Sequence, residues 1–165
     1  NATLSSAGLE KLCFAAFEVQ SEAVVGTFNA DRARAVVAES VQLVLAELHS
    51  LAQRYDGVVT AAEGPALLAV FPSAEAGLAC VLAAHVRALQ LPCTHELQKA
   101  APWVTPNFID DSLTWRGLQI RAGVHVGRPE RIERGSDGQA ATQYLGAEVS
   151  RALAVAAHAR FGETL

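Results

Sequence analysis

The run Leu118-Gln119-Ile120-Arg121-Ala122-Gly123-Val124-His125-Val126-Gly127 constrains this chain more than any other segment. Ile120, Val124 and Val126 alternate with Gln119, Arg121 and His125, the period of a strand with one apolar and one polar face. Gly123 and Gly127 bracket His125 on the polar face and allow another element to come close there. A chain with such a strand has to build a sheet around it, so the neighbouring segments must supply pairing strands and covering helices.

They do. In residues 11–19, Cys13, Ala15 and Phe17 alternate with Leu12, Phe14 and Ala16, so both faces are apolar and the strand is expected to be central and doubly buried. Asn29 or Asp31 can cap a long helix that runs to about Tyr55, with Val37, Val41, Val44, Leu45, Leu48, Leu51 and Ala52 at helical spacing. Asp56-Gly57 is a turn, and 58–63 and 66–71 are strands joined through Gly64-Pro65 into a hairpin. Ser73 caps a second helix over 74–91 with the stripe Leu78, Val81, Leu82, His85 and Leu89. Residues 92–115 show no period and read as a long loop or small insertion outside the core. A polar segment over 128–139 follows the signature strand. The last helix starts near Gly146, with Val149, Ala152, Leu153 and Ala156 as its buried stripe. Gly162 ends it, and Thr164-Leu165 reads as the start of another strand. Residues 1–10 are small and polar and are expected to be disordered or frayed.

This order predicts an α/β (α+β) domain: a ferredoxin-like split βαβ sheet with helices on one face and the other face free for a ligand or partner. With 165 residues, half of them apolar, the chain is expected to form one domain over 11–165. A net charge of -4 argues against a nucleic-acid binder. Arg128, Arg131 and Arg134 are interleaved with Glu130 and Glu133 and read as a solvated segment. No apolar run approaches the roughly 20 residues of a membrane span, and no signal peptide is evident. Cys13, Cys80 and Cys93 lack metal-ligand spacing and read as free thiols in a reducing compartment, so a cytoplasmic location is expected. The chain contains no Met and reads as an excised piece, for example the cytosolic part of a longer protein.

Four segments, in order, carry a resemblance: Phe14-Ala15-Ala16-Phe17-Glu18; Glu63-Gly64 followed by Ala69 to Ala76; Arg121 to Gly127; and Tyr144-Leu145-Gly146 entering the last helix. Together they resemble the catalytic domain of class III adenylate and guanylate (nucleotidyl) cyclases over about residues 11–165. With the insertion before Trp115, the pattern looks most like the protozoan receptor-type adenylate cyclases. The resemblance implies internal phosphoryl transfer, in which a ribose hydroxyl attacks the α-phosphate of a nucleoside triphosphate with two divalent metals at the site.

Against that pattern the site is degenerate. The two metal-binding aspartates correspond to Ala16 and Pro65, which offer no side-chain oxygen to a hard cation. Glu18 and Glu63, each two positions away, are weak rescue candidates. The adenine-reading lysine corresponds to Ala61 and its partner to Gln143. The transition-state asparagine corresponds to Ser150 and the phosphate-binding arginine to Ala154. The resemblance therefore implies a catalytically inactive pseudocyclase with a regulatory or dimerisation role in cyclic-nucleotide signalling. It would be a homodimer or a heterodimer with another cyclase-type domain, without nucleic acid and without a membrane span in this stretch. No cofactor is expected. Two alternatives stay open: a divergent active cyclase using Mg or Mn with ATP or GTP, and a nucleotide-binding sensor without turnover. His125 reads either as a ligand-facing group or as a scaffold residue. His49 and His158 read as surface residues, and Gly135 to Gly138 lacks the features of a phosphate cradle.

Overall fold

The computed structural model describes residues 3–5, 10–22, 30–133 and 143–165. Asn29 and the Gly135–Gly138 segment lie outside the described residues. The main sheet is built from β2 (Leu12–Val19), β3 (Val58–Glu63), β4 (Ala66–Phe71) and β7 (Ile120–Gly127) in the order β3-β4-β2-β7, every neighbouring pair antiparallel. β4 lies between β2 and β3, which makes the β2-helix-β3 unit a split one, as the element order predicts. β2 is central, and Cys13, Phe14, Ala15, Ala16 and Phe17 are all buried.

One face of the sheet carries α1 (Ala30–Arg54) and α2 (Ala74–Gln90). Cys13, Ala15, Phe17, Val19, Leu67, Ala69, Phe71, Ile120 and Ala122 pack there against the buried stripes of the two helices. α1 starts with Asp31 in its first turn and ends with Arg54 in its last, both favourable to the helix dipole. Among the described residues α1 is also the one helix long and apolar enough to cross a membrane, where the sequence alone suggested none. Eight of its residues are buried, and it packs as a core helix. Ser73 caps α2 as expected, its hydroxyl accepting from the Ala76 N–H at 3.2 Å.

The stripe of α2 is rotated from the expected one. Gly77, Cys80, Val81 and Ala84 are buried, while Leu78 and Leu82 are about half exposed. Small residues win the interface because β2 lies close: a Cβ on Gly77 would fall 2.3 Å from Cys13 Sγ. Burial pushes the Cys13 thiol up to about 11, helped by the charge of Glu75. Cys80, raised in the same way with Cys13 as a lesser cause, also reaches about 11. Neither is a nucleophile at neutral pH, and all three cysteines are free.

Three expectations need correction. First, the helices do not share one face. α4 (Ala147–His158) packs on the opposite face over Phe14, Ala16, Leu68 and Val70, contributing Ala152 and Ala156. It can do so because both faces of β2 are apolar. Leu153, expected in its buried stripe, is 47% exposed, because alanines hold the contact. Second, residues 92–115 are a folded insertion. It comprises α3 (His95–Ala100), a turn of 3-10 helix (Pro102–Val104) and the hairpin β5 (Asn107–Ile109)–β6 (Ser112–Trp115). Leu97, Ala100, Ala101 and Val104 join the core. The elements are too short to show a period, which hid them. Third, the N-terminal stretch is not wholly frayed. β1 (Thr3–Ser5) pairs with β8 (Arg131–Glu133), which pairs with β9 (Gln143–Leu145).

Candidate functional site

The α4 face of the sheet holds most of the residues that the sequence singled out. Strand register sets Glu63 opposite Ala66, Ala66 opposite Glu18, and Glu18 opposite Arg121, so the four share one row on one face. With strands roughly 4.8 Å apart, the backbones at Glu63 and Glu18 are about 10 Å apart. Glu63 is exposed. Glu18 is engaged: Arg121 donates to its Oε2 through Nε at 3.0 Å and Nη2 at 2.6 Å. The remaining Nη1 donates to the carbonyls of Ala157 and Ala159 at 3.2 and 3.3 Å, at the C-terminal end of α4. The guanidinium also stands 5.0 Å from the centre of the Phe161 ring. Arg121 thus ties β2, β7 and the end of α4 together, and Glu18 is its counter-charge.

Ala16 lies between Leu68 of β4 and Gly123 of β7, and is 1% exposed. Above it α4 comes down to backbone contact. A Cβ on Gly123 would fall 2.1 Å from the Ala156 nitrogen and 2.7 Å from the Ala152 oxygen. Pro65 has different surroundings. It sits at the β3–β4 turn, where Gly64 takes a positive φ of 55° and the Val19 N–H donates to the Pro65 carbonyl at 2.9 Å. It borders a cavity of about 450 Å3 on the α1 side with Ser21, Arg34, Val37 and Val41. Ala16 and Pro65 therefore fall on opposite sides of the sheet.

Ala61 borders a third region, a cavity of about 310 Å3 also lined by Glu63, Leu68, Tyr144, Val149 and Leu153. Gln143 opens β9, next to Tyr144 of this lining. Ser150 and Ala154 are exposed on α4. The structure thus gathers Ala61 and the Gln143 backbone near one end of α4, with no cationic side chain in the lining among the described residues.

His125 has a protein partner that the sequence did not reveal. Its Nε2 meets the Glu148 carboxylate, whose other oxygen accepts from Arg151 Nη1 at 2.6 Å. Gly127 makes room, since a Cβ there would lie 2.1 Å from Glu148 Oε2. Glu130 Oε1 accepts from the Ala147 N–H at 3.1 Å at the same helix start, where Gly146 has a φ of 129°. His125 is therefore a clamp on the first turn of α4. The local half of this arrangement had a sequence signal, a glutamate two residues after a glycine at a helix start with an arginine three residues on, whereas the pairing across to His125 had none.

The donor set does not fit a pair of hard divalent cations. The side chains of Ala16 and Pro65 have no ligating atom, Glu18 is held by Arg121, and among the described residues no group of three or more His, Cys, Asp or Glu is placed to hold a metal.

No family model matches the sequence, and no curated protein matches it. Solved structures do match. An adenylate cyclase from Trypanosoma brucei, in its monomeric state, is 17% identical with a TM-score of 0.72, covering 93% of this chain and 70% of the other. The adenylyl cyclase CyaB from P. aeruginosa is 16% identical with a TM-score of 0.64, covering 99% and 78%. A dimeric guanylyl cyclase domain of the RhoGC fusion protein from the aquatic fungus Blastocladiella emersonii is 13% identical with a TM-score of 0.61, covering 94% and 78%. The chain has the fold of the class III adenylyl and guanylyl cyclase catalytic domains.

Proposed function

We propose that this domain is a catalytically silent cyclase homologue that acts in cyclic-nucleotide signalling by pairing with a second cyclase-type domain, either its own copy or a competent chain. The observation that carries this reading is the burial of Ala16. The position that corresponds to a metal-binding aspartate is sealed under α4 by Leu68, Ala152 and Ala156. A carboxylate or cation placed there would lose its hydration with nothing to replace it. Ala61 and Ala154 remove the base-reading and phosphate-binding charges, and removing one such stabiliser commonly costs about 2.7–4 kcal/mol of barrier. Gln143 and Ser150 retain hydrogen-bonding capacity without charge. A dimeric solved neighbour supports pairing through this fold, and a cytosolic location fits the free thiols.

The direct test is incubation with ATP or GTP and manganese at micromolar protein, with detection of cyclic nucleotide. The reading expects no product above a protein-free blank. Product that disappears in a Glu18→Gln, Glu63→Gln variant would establish the divergent-enzyme alternative instead. A rise in thermal midpoint with ATP and magnesium would favour the nucleotide-sensor alternative. Pairing is tested by sedimentation over a concentration series, alone and with a competent cyclase domain. A strict monomer in both would remove the dimerisation role.

A further inference from the structure

The largest of these cavities, about 770 Å3, lies on the other face of the sheet, between the C-terminal half of α2, the folded insertion, the start of β7 and residues 160–163. Its volume falls among those of small-molecule sites. Trp103 and Trp115 line it from the insertion. Both indoles are fixed by their N–H groups: Trp103 Nε1 donates to the Glu22 carbonyl at 3.2 Å, and Trp115 Nε1 to the Trp103 carbonyl at 3.4 Å. The same lining holds two arginines. Arg116 is anchored through Nε to the Leu89 carbonyl at 2.9 Å, which leaves its two terminal nitrogens to act elsewhere. Arg160 comes from the segment that leaves α4.

The charge of the lining is not balanced internally. Glu163 offsets one arginine, and it already accepts from the Arg160 N–H at 3.0 Å. His85 adds no positive charge at neutral pH, because burial lowers its pKa from 6.5; its Nε2 is 2.8 Å from the Thr164 hydroxyl. One positive charge remains, beside two fixed aromatic walls.

We propose that this cavity binds a planar aromatic carboxylate, with Trp103 and Trp115 flanking the ring and Arg116 and Arg160 taking the carboxylate. Guanidinium groups bind carboxylates through paired hydrogen bonds, and indole faces suit flat rings. The proposal is independent of the reading of the α4 face. Its regulatory interest is that one wall is the chain leaving α4, so an occupant would touch the segment that anchors the helix covering Ala16.

The probe is 2-naphthoate, with 2-naphthalenemethanol as its uncharged counterpart. The chain has only two tryptophans, both in this lining, so their indole N–H signals in a 15N correlation spectrum report the site. The acid is expected to shift both signals along one saturating curve, and the alcohol to bind at least about tenfold more weakly, the scale of one charge-assisted hydrogen bond. Arg116→Gln and Arg160→Gln are each expected to weaken the acid about tenfold by calorimetry and to leave the alcohol unchanged. Arg160 is exposed, so its variant serves if Arg116→Gln fails to fold. The absence of a saturating shift, equal affinity for acid and alcohol, or an Arg160→Gln variant that binds the acid unchanged would each overturn the proposal.

Discussion

The cavity bordered by Ala61, Tyr144, Val149 and Leu153 and the cavity bordered by Trp103, Trp115, Arg116 and Arg160 lie on opposite faces of one four-stranded sheet. On the first face the cations are consumed by the fold itself, Arg121 by Glu18 and two helix carbonyls and Arg151 by Glu148, while Glu63 stays exposed. On the second, among the described residues, Arg116 is held through Nε alone by the Leu89 carbonyl, and the Arg160 side chain has no hydrogen-bond partner. The difference shows that a cavity's chemistry depends less on its size than on whether its charges already have partners. On the first face the ion pairs hold α4 in place.

That contrast can be broken in four ways. The largest effect is expected from Ala16→Asp. The neighbouring groups on this face, Arg121 and His125, already pair with Glu18 and Glu148, so a carboxylate under α4 would be left uncompensated, at a cost of about 3–5 kcal/mol. Urea denaturation should show that loss, with no recovery on adding manganese, even in an Ala16→Asp, Pro65→Asp double variant. Parent-like stability, or rescue by the metal, would mean the face is open after all.

Gly123→Ala comes next. The new methyl meets the backbone of α4, which cannot rotate away, so a loss of about 3 kcal/mol, the upper end for overpacking, is expected in the same measurement. An unchanged midpoint would show that α4 sits loosely on β7. Glu18→Gln should be milder. The Arg121 pair is partly exposed, and its loss should lower stability by about 1 kcal/mol after allowing for solvent screening.

The smallest effect belongs to the other face. The folded protein holds the His85 pKa below 6.5, so below that pH the unfolded chain binds more protons. The stabilisation is therefore complete above about pH 6.5 and fades as the pH falls toward the lowered value. The thermal midpoint should drop between about pH 7.5 and pH 5.5, and less so in His85→Gln. Groups around this ring are Arg116, Arg160, Glu163 and Thr164, and a drop of equal size in the variant would assign the effect to one of them.

The sequence made the sheet legible because β2 and β7 state their faces outright. Phe14 and Phe17 on opposite sides of β2 announce a doubly covered strand, and Ile120, Val124 and Gln119, Arg121 mark the two sides of β7. What alternation cannot state is which helix covers which face, and so α4 was misplaced. Residue size misled in a second way. Leu78 and Leu82 looked like the core of α2, yet Gly77, Cys80 and Ala84 occupy the contact because the strand beneath leaves no room. The insertion over 92–115 could be located but not its elements, because a six-residue helix and two short strands span too little chain to repeat. At the candidate site, the chemistry of single positions could be read directly, since the Ala16 side chain offers no oxygen wherever it lies. The pairings Arg121–Glu18 and His125–Glu148 could not, because they join residues 103 and 23 positions apart in the chain.

The backbone ladder has its own consequence for assembly. The first part of the outer edge of β7 is already taken: Ala122 and Val124 donate to the carbonyls of Glu163 and Leu165, and Leu165 donates back to Ala122. At the opposite margin, the pairing of β3 with β4 slips between Val59 and Ala61. One margin is capped in part and the other is kinked, so neither is a straight template for a further strand. At the margins of the main sheet, side-chain shape and charge therefore have more to offer a second molecule than a continued backbone ladder.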